Sequence, residues 1–218
     1  MAARPATRRP IGRPADTQPR AIVRDLTRGS SPLRIDWDVR TAYDFIFSLS
    51  DDAGSTDDLP IADRQWLAAS REALPASVRA GITDLFASEL AIHAGVLLID
   101  APDARTAADF VALVEAASPR DLVTALFAGH GTDAELDELI GRAIDGDETV
   151  LPTVADRLPE WNRAGRLELL RDPARAREQI LEVLKAWLVP FREIEARVGA
   201  ILERDYESRA ADRQRLAP

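Results

Sequence analysis

The feature that most constrains the fold is a run of apolar residues near the C-terminal end, spaced alternately four and three residues apart. The run comprises Ile180, Leu184, Trp187, Phe191, Ile194, Val198 and Ile201. This alternation is the heptad pattern of a helix that buries one continuous seam. It predicts a helix from about Pro173 to past Asp205. A kink is expected near Ala186, because Pro190 clashes with that carbonyl and removes one hydrogen bond.

The heptad seam has two interpretations. In the first, it packs within the monomer and forms part of the core, as the apolar face of a helix ordinarily does. In the second, it is a contact between two copies of the chain, because three heptads are just enough for a short coiled coil. The dimer contact would then comprise Leu184, Trp187, Phe191, Ile194 and Val198.

The chain upstream of this seam shows one helical pattern after another from residue 35 onward. With 218 residues, 46% of them hydrophobic, it can bury one sizeable core. We therefore predict an all-α, multi-helix orthogonal or bundle-like domain over residues 35–205 that ends in the long kinked helix. Residues 206–218 are its polar end or a disordered tail. Residues 1–34 are rich in Arg and Pro and poor in large apolar groups, which predicts a disordered N-terminal tail.

Local signals predict several helix boundaries. The first helix should begin after Asp38, whose carboxylate can accept the free N–H groups of the first turn. Apolar residues at helical spacing predict a third helix that runs from about Ala76 to Ile99. Ser118 and Pro119 are expected to be the N-cap and first residue of a later helix.

The net charge of -9 conceals an asymmetry. Residues 1–34 hold eight Arg against Asp16 and Asp25, a net charge of +6. The remaining residues hold 20 basic and 35 acidic side chains, a net charge of -15. An acidic body does not attract nucleic acid or an anionic membrane, so only the tail could do so.

One segment of the tail resembles an AT-hook, a short motif whose Arg-Gly-Arg-Pro core lies in the narrow minor groove of A·T-rich DNA. The segment is Arg9-Pro10-Ile11-Gly12-Arg13-Pro14. Arg9, Gly12 and Arg13 would be its DNA-contacting residues, because arginine inserted in that groove meets an enhanced negative potential. Ile11 stands where the first arginine of the core belongs, and a solvated tail is the alternative.

Residues that supply metal or catalytic chemistry are scarce. The chain has no Cys, and His93 and His130 are its two histidines. There is no Gly-x-Ser-x-Gly elbow and no Gly-rich phosphate loop. We expect no enzymatic activity, no catalytic residue, no cofactor and no metal site.

No segment has the features of a membrane span or an export signal. The longest nearly apolar run covers residues 90–99, whereas a span needs about 20 residues. The Arg-rich start is not followed by an apolar segment, as a signal peptide would require. We therefore expect a cytoplasmic protein without membrane contact, which the absence of Cys also suits.

The stretch Trp37-Asp38-Val39-Arg40-Thr41-Ala42-Tyr43-Asp44 resembles the start of the helical region in long ArsR-like winged-helix transcription regulators from high-GC bacteria. The matching residues are Trp37, Asp38 and the Thr-Ala-Tyr-Asp run that begins at Thr41. The late stretch Ile201-Leu202-Glu203-Arg204-Asp205 also looks similar. In that family the winged helix follows the helical region, and this chain ends without one. The loop over residues 51–59 differs from the family as well.

The resemblance implies the sensor or dimerisation region of such a regulator, which would meet DNA through a C-terminal domain missing from this chain. An effector or partner that prefers one helix arrangement would reorient the winged helix. We expect a small apolar effector to bind beside the third helix, in a pocket lined by Tyr43, Phe47, Phe86, Leu90 and His93. The alternative function is a stand-alone helical protein-interaction module without DNA binding.

If the tail binds DNA, we expect the affinity to fall steeply with salt, because each arginine–phosphate contact releases counterions. Deletion of residues 1–34 should abolish the binding, which a titration of labelled A·T-rich duplex at several salt concentrations would measure. Affinity that survives the deletion would exclude the tail as the DNA-binding element.

Overall fold

The computed structural model describes residues 39–50, 59–86, 91–127, 134–158, 160 and 163–209, without the side chains of residues 91 and 92. All regular secondary structure in these ranges is helical, which confirms the all-α prediction. The α-helices are α1 Thr41–Phe47, α2 Ile61–Glu72, α3 Ala76–Leu85, α4 Ala107–Ala116, α5 Pro119–Phe127, α6 Ala134–Ile144, α7 Leu151–Arg157, α8 Arg163–Arg171 and α9 Pro173–Ser208. Two 3-10 helices, Ala91–Leu98 and Glu148–Val150, precede α4 and α7.

Helix α9 is the element around which the others pack. It has 36 residues and a length of about 54 Å at 1.5 Å per residue. Helices α1, α3, α4, α5 and α8 all contact it, and α6 and α7 extend the structure outward from α5 and α8. The predicted long C-terminal helix is therefore confirmed, and α9 continues as one helix through Pro190.

The heptad seam of α9 is buried in the core of its own chain only as far as Phe191. Leu184 and Trp187 are 0% exposed and Phe191 is 1% exposed. Beyond Phe191 no residue of α9 is fully buried. Ile194 and Val198 are partly buried. In this conformation a second copy could therefore reach only the C-terminal part of the predicted dimer seam.

Aromatic contacts tie α1 to the centre of the molecule. The Phe45 ring makes edge-to-face contacts with Phe191 at 5.1 Å and with Phe110 at 6.4 Å between ring centroids. The ring centroids of Trp187 on α9 and Trp66 on α2 are 5.8 Å apart. The indole N–H of Trp187 donates to Ser48 Oγ at 2.8 Å, so the buried indole nitrogen has a hydrogen-bond partner.

Two predicted helix boundaries are wrong. Helix α1 begins at Thr41 with Arg40 as its N-cap, and Arg40 makes no side-chain cap bond. The proposed cap Asp38 lies outside the described residues. The predicted third helix, from about Ala76 to Ile99, is also wrong in its second half. Helix α3 ends at Leu85, and the chain forms a 3-10 helix over Ala91–Leu98. Eight residues is long for this poorer hydrogen-bond geometry.

Other helix ends follow local rules. Asp121 N–H donates to Ser118 Oγ at 3.1 Å, which confirms the predicted cap of α5. Helix α6 is followed by a turn in which Gly146 has φ 92°, a conformation that favours glycine. The predicted N-terminal tail, with Arg9, Gly12 and Arg13, lies outside the described residues. Within the described ranges, no helix is sufficiently long and apolar to cross a membrane.

Two glycines in helices test how tightly α9 packs. A Cβ atom on Gly81 of α3 would lie 2.8 Å from Val183 Cγ2, whereas one on Gly141 of α6 would meet no atom within 4 Å. Alanine favours a helix interior over glycine by about 1 kcal/mol, but overpacking a core costs about 1–3 kcal/mol.

We expect Gly141→Ala to stabilise the fold and Gly81→Ala to be less stable than Gly141→Ala by about 1–3 kcal/mol. Urea unfolding of both variants followed by circular dichroism would measure the difference. Equal stabilisation by both substitutions would contradict the close packing of α3 on α9.

Candidate functional site

An open groove of about 630 Å³ lies where the start of α1 and the start of α4 face the last turns of α9. We call it the α9 groove. It is lined by Val39, Thr41, Arg105, Thr106, Gly199, Leu202, Glu203, Tyr206 and Glu207. Its volume is within the range of small-molecule sites.

Glu195 of α9 holds the three elements of the groove together. Its Oε1 accepts a hydrogen bond from the Thr41 hydroxyl at 2.7 Å and another from the Ala107 N–H at 2.8 Å. Thr41 is the first residue of α1 and Ala107 the first of α4. Since the N–H groups of a first helical turn have no partner within the helix, the carboxylate satisfies one of them. One side chain thus fixes the last third of α9 to both helix starts.

The loop before α4 forms the second wall. Arg105 Nη2 donates to the Val39 carbonyl at 2.9 Å, and the Ala42 N–H donates to the Arg105 carbonyl at 3.2 Å. Thr106 and Asp109 form a reciprocal capping box at the start of α4. Bonds from the backbone and hydroxyl of Thr106 lower the pKa of Asp109. These bonds give the groove a fixed backbone frame on this side.

Arg40 fixes the start of α1 from beneath the groove. Its side chain is buried, and Nη1 donates to the carbonyls of Leu98 at 2.8 Å and Ala101 at 3.0 Å. Nη2 donates to the Tyr43 hydroxyl at 2.8 Å, and the guanidinium lies 5.0 Å from the centroid of that ring. The buried cation is tolerated because carbonyl oxygens and the Tyr43 hydroxyl accept hydrogen bonds from its two terminal nitrogens. The bonds also satisfy carbonyls at the end of the 3-10 helix.

The α9 wall of the groove combines apolar and acidic groups. Leu202 and Tyr206 offer apolar surface, and Glu203 and Glu207 offer carboxylates one helical turn apart. Neither carboxylate has an ion-pair partner among the described residues. Gly199 lies close to the α1 side of the groove, since a Cβ atom there would make an ordinary contact with Thr41 Cγ2 at 3.6 Å. The groove therefore suits a ligand with an apolar body and a cationic or hydrogen-bonding group.

Of the sequence-predicted pocket, the four described residues Tyr43, Phe47, Phe86 and His93 do not line this groove. Phe86 is fully buried in the core, whereas Phe47 is 47% exposed. Tyr43 is partly buried and its ring lies beside Gly95. His93 is also partly buried, and Leu90 lies outside the described residues. A small-molecule site formed by these five residues stays a prediction.

Asp44, the last residue of the Thr-Ala-Tyr-Asp run, is partly buried in the first turn of α1. Burial raises the pKa of its carboxyl, and a bond to its own backbone only partly opposes the effect. The charged form is therefore less favourable in the folded chain than in the unfolded chain. Within the described ranges, no group of three acidic or His side chains is arranged to hold a metal ion.

We expect Glu195→Ala to destabilise the fold by about 1–3 kcal/mol, because it leaves the Ala107 N–H without its acceptor and leaves the Thr41 hydroxyl only the longer bond to the Arg105 carbonyl at 3.3 Å. Glu195→Gln retains one carbonyl oxygen and should recover most of the loss. The exposed Glu193→Ala on the same helix is the matched control. Urea unfolding gives the three values, and equal losses at positions 193 and 195 would contradict the junction.

For Asp44→Asn we expect a gain in stability at neutral pH, because the variant has no carboxyl to ionise. Since the folded pKa is raised, wild-type stability falls as pH rises through the interval between the unfolded and folded pKa values. The gain in stability from Asp44→Asn should thus be absent below the pKa of Asp44 in the unfolded chain and complete above its pKa in the folded chain. Unfolding free energies of both proteins across this interval would reveal the trend, and a gain independent of pH would exclude ionisation as its cause.

Comparisons with protein-family models, curated protein sequences and solved structures found no match to this chain. The resemblance to ArsR-like regulators therefore depends only on the two stretches of sequence described above.

Proposed function

We propose that this chain is the sensor and dimerisation region of an ArsR-like transcriptional regulator. Occupancy of the α9 groove would be coupled to DNA binding by a winged helix outside this chain. The observation that carries the proposal is that both stretches with the family resemblance line the groove. Val39 and Thr41 come from the first stretch, and Leu202 and Glu203 come from the second. Two stretches about 160 residues apart in the chain thus contribute to one surface.

The proposed coupling uses the two parts of α9. The part up to Phe191 is fixed in the core, and the later part forms one wall of the groove. A ligand between the α1–α4 side and the α9 side contacts both walls at once. A ligand that binds one arrangement of the walls more tightly shifts the population toward that arrangement. The direction of the last turns of α9, and of any domain that follows them, would shift with it.

The proposed effector is a small, largely apolar molecule with one polar group. Val39, Leu202 and the ring of Tyr206 provide the apolar contacts, and Thr41 provides a hydroxyl. Glu203 and Glu207 favour a positively charged group over an anion. The proposed effector site is therefore the α9 groove, which the described residues form, and not the pocket predicted from the sequence.

The dimerisation role would use the part of the seam that the monomer leaves accessible. Ile194 and Val198 are partly buried, and Ile201 is 54% exposed. These residues continue the heptad spacing at the C-terminal end of α9. A dimer formed there would adjoin the groove, so ligand binding and association would be linked.

A stand-alone protein-interaction module is the second candidate. Several large apolar side chains on other surfaces support it. Ile61 is 66% exposed, and Ile99 and Val189 are each 68% exposed. Exposed apolar residues are frequent at protein interfaces when they form a contiguous patch.

The regulator proposal is tested by sequencing the gene beyond the Pro218 codon. We expect the reading frame to continue into a helix-turn-helix and a Gly-containing hairpin, the parts of a winged helix. The longer protein should bind its own promoter DNA. A stop codon after Pro218 would contradict the regulator proposal and favour the interaction module.

For the groove, we expect Gly199→Leu to remove effector binding by filling the space beside Thr41. In a thermal-shift screen of small apolar amines, a ligand at 100 times its Kd stabilises the wild type by about 2.7 kcal/mol. Gly199→Leu should lose this stabilisation and still fold, because leucine is a better helix former than glycine. The control Gly199→Ala adds only an ordinary contact and should retain binding. Equal shifts in all three proteins would place the ligand elsewhere.

A further inference from the structure

The α9 groove opens where the basic N-terminal segment joins the described fold. Val39 is the first described residue, and it also lines the groove. The chain before Val39 therefore begins at the rim of the groove. Residues 1–34 carry the net charge of +6, whereas the later residues carry -15. Opposite charges joined at this point attract each other.

The α9 wall offers an acceptor for an arginine. Glu203 and Glu207 are four residues apart on one helix, and like charges at this spacing destabilise the helix by about 0.2–0.5 kcal/mol. They also lie in the last two turns of α9, where the helix dipole disfavours negative charge. Two cations on this part of α9 already have acidic partners, since Arg197 contacts Asp63 and Arg209 contacts Asp205. A cation between Glu203 and Glu207 would offset both the repulsion between the two carboxylates and their unfavourable interaction with the helix dipole.

The length of the connecting chain permits contact. Arg34 precedes Val39 by five residues, which span at most about 18 Å. The α9 wall from Gly199 to Glu207 is about 12 Å long at 1.5 Å per residue. A tethered ligand with so short a connection has an effective concentration of about millimolar or more. A contact whose Kd is about 1 mM would therefore be populated in about half of the molecules or more.

We propose that the α9 groove is the docking site of the chain's own N-terminal segment, with Arg34 held between Glu203 and Glu207. The segment also supplies apolar residues at alternate positions, Leu33, Ile35 and Trp37, which match Leu202 and Val39 of the groove in character. A bidentate guanidinium–carboxylate contact is stronger than a single hydrogen bond. The docked segment occupies the same space as the proposed effector, so the two compete. This competition rests on the proposed function, whereas the docking does not.

The docking is tested on the full chain by paramagnetic relaxation enhancement. Because the chain has no Cys, Ser31→Cys carries a single nitroxide label without further substitutions. We expect the label to broaden the backbone amides of Gly199, Glu203 and Glu207. About 0.5 M salt, where charges are screened beyond a few ångströms, should remove most of this broadening.

Matched variants identify the contact. The broadening at the groove should fall severalfold, relative to the wild type, in the double variant Glu203→Gln/Glu207→Gln and in the single variant Arg34→Gln. The control Glu178→Gln/Glu182→Gln removes an equally spaced, exposed pair from the same helix and should leave the broadening unchanged. A mixture of labelled and isotope-enriched chains separates docking within one chain from docking between two copies.

Two results would overturn the docking proposal. One is equal broadening in the wild type and all variants. The other is broadening that occurs only between different molecules. Neither result depends on DNA binding, so the docking can fail while the regulator function holds. Conversely, a stop codon after Pro218 would remove the regulator function and leave the docking intact.

Discussion

Burial of the α9 seam as far as Phe191 is the constraint on which the rest of the structure depends. Trp187 and Phe191 are large side chains removed from water, and full burial of one such apolar side chain contributes about 1.5–3 kcal/mol. Five helices, α1, α3, α4, α5 and α8, pack against α9. Helix α2, by contrast, has no fully buried residue, and its contacts include the Trp66–Trp187 pair, the bond from Arg71 to the Ser48 carbonyl and the ion pair between Asp63 and Arg197.

The sequence predicted the elements that are governed by local rules. The heptad spacing predicts α9 because it needs only residues three and four positions apart, and the Ser118 cap likewise acts over three residues. The predicted helix over Ala76–Ile99 failed for a different reason. Its apolar spacing does not distinguish one α-helix from an α-helix that ends at Leu85 and is followed by a 3-10 helix over Ala91–Leu98. Arg40, 58 residues away in sequence, also binds the Leu98 carbonyl of this second segment. No periodicity signals a tertiary hydrogen bond of this kind.

The candidate site was harder to predict than the fold. The predicted pocket used apolar residues on helix faces, but such residues, Phe86 among them, fill the core. The groove instead consists of two helix starts with their preceding residues and the last turns of α9, which come from three parts of the chain. One signal was available, because the Thr106-x-x-Asp109 spacing resembles a capping box and marks the start of α4. Glu195 is 88 residues from Ala107 in sequence. Its contact with this helix start could therefore be found only from the structure.

The end of burial at Phe191 divides a single helix into two regions of unequal local stability. Pro190 lies at this boundary and removes one backbone hydrogen bond, so cooperativity between the two regions is weakest there. The region before it opens only when the core opens, whereas the last turns can fray at a much smaller free-energy cost. Glu195 and the contacts of the groove are what oppose this fraying. The chain thus has the components of an order–disorder signal, in which occupancy of one surface sets how far the helix persists toward its C-terminal end.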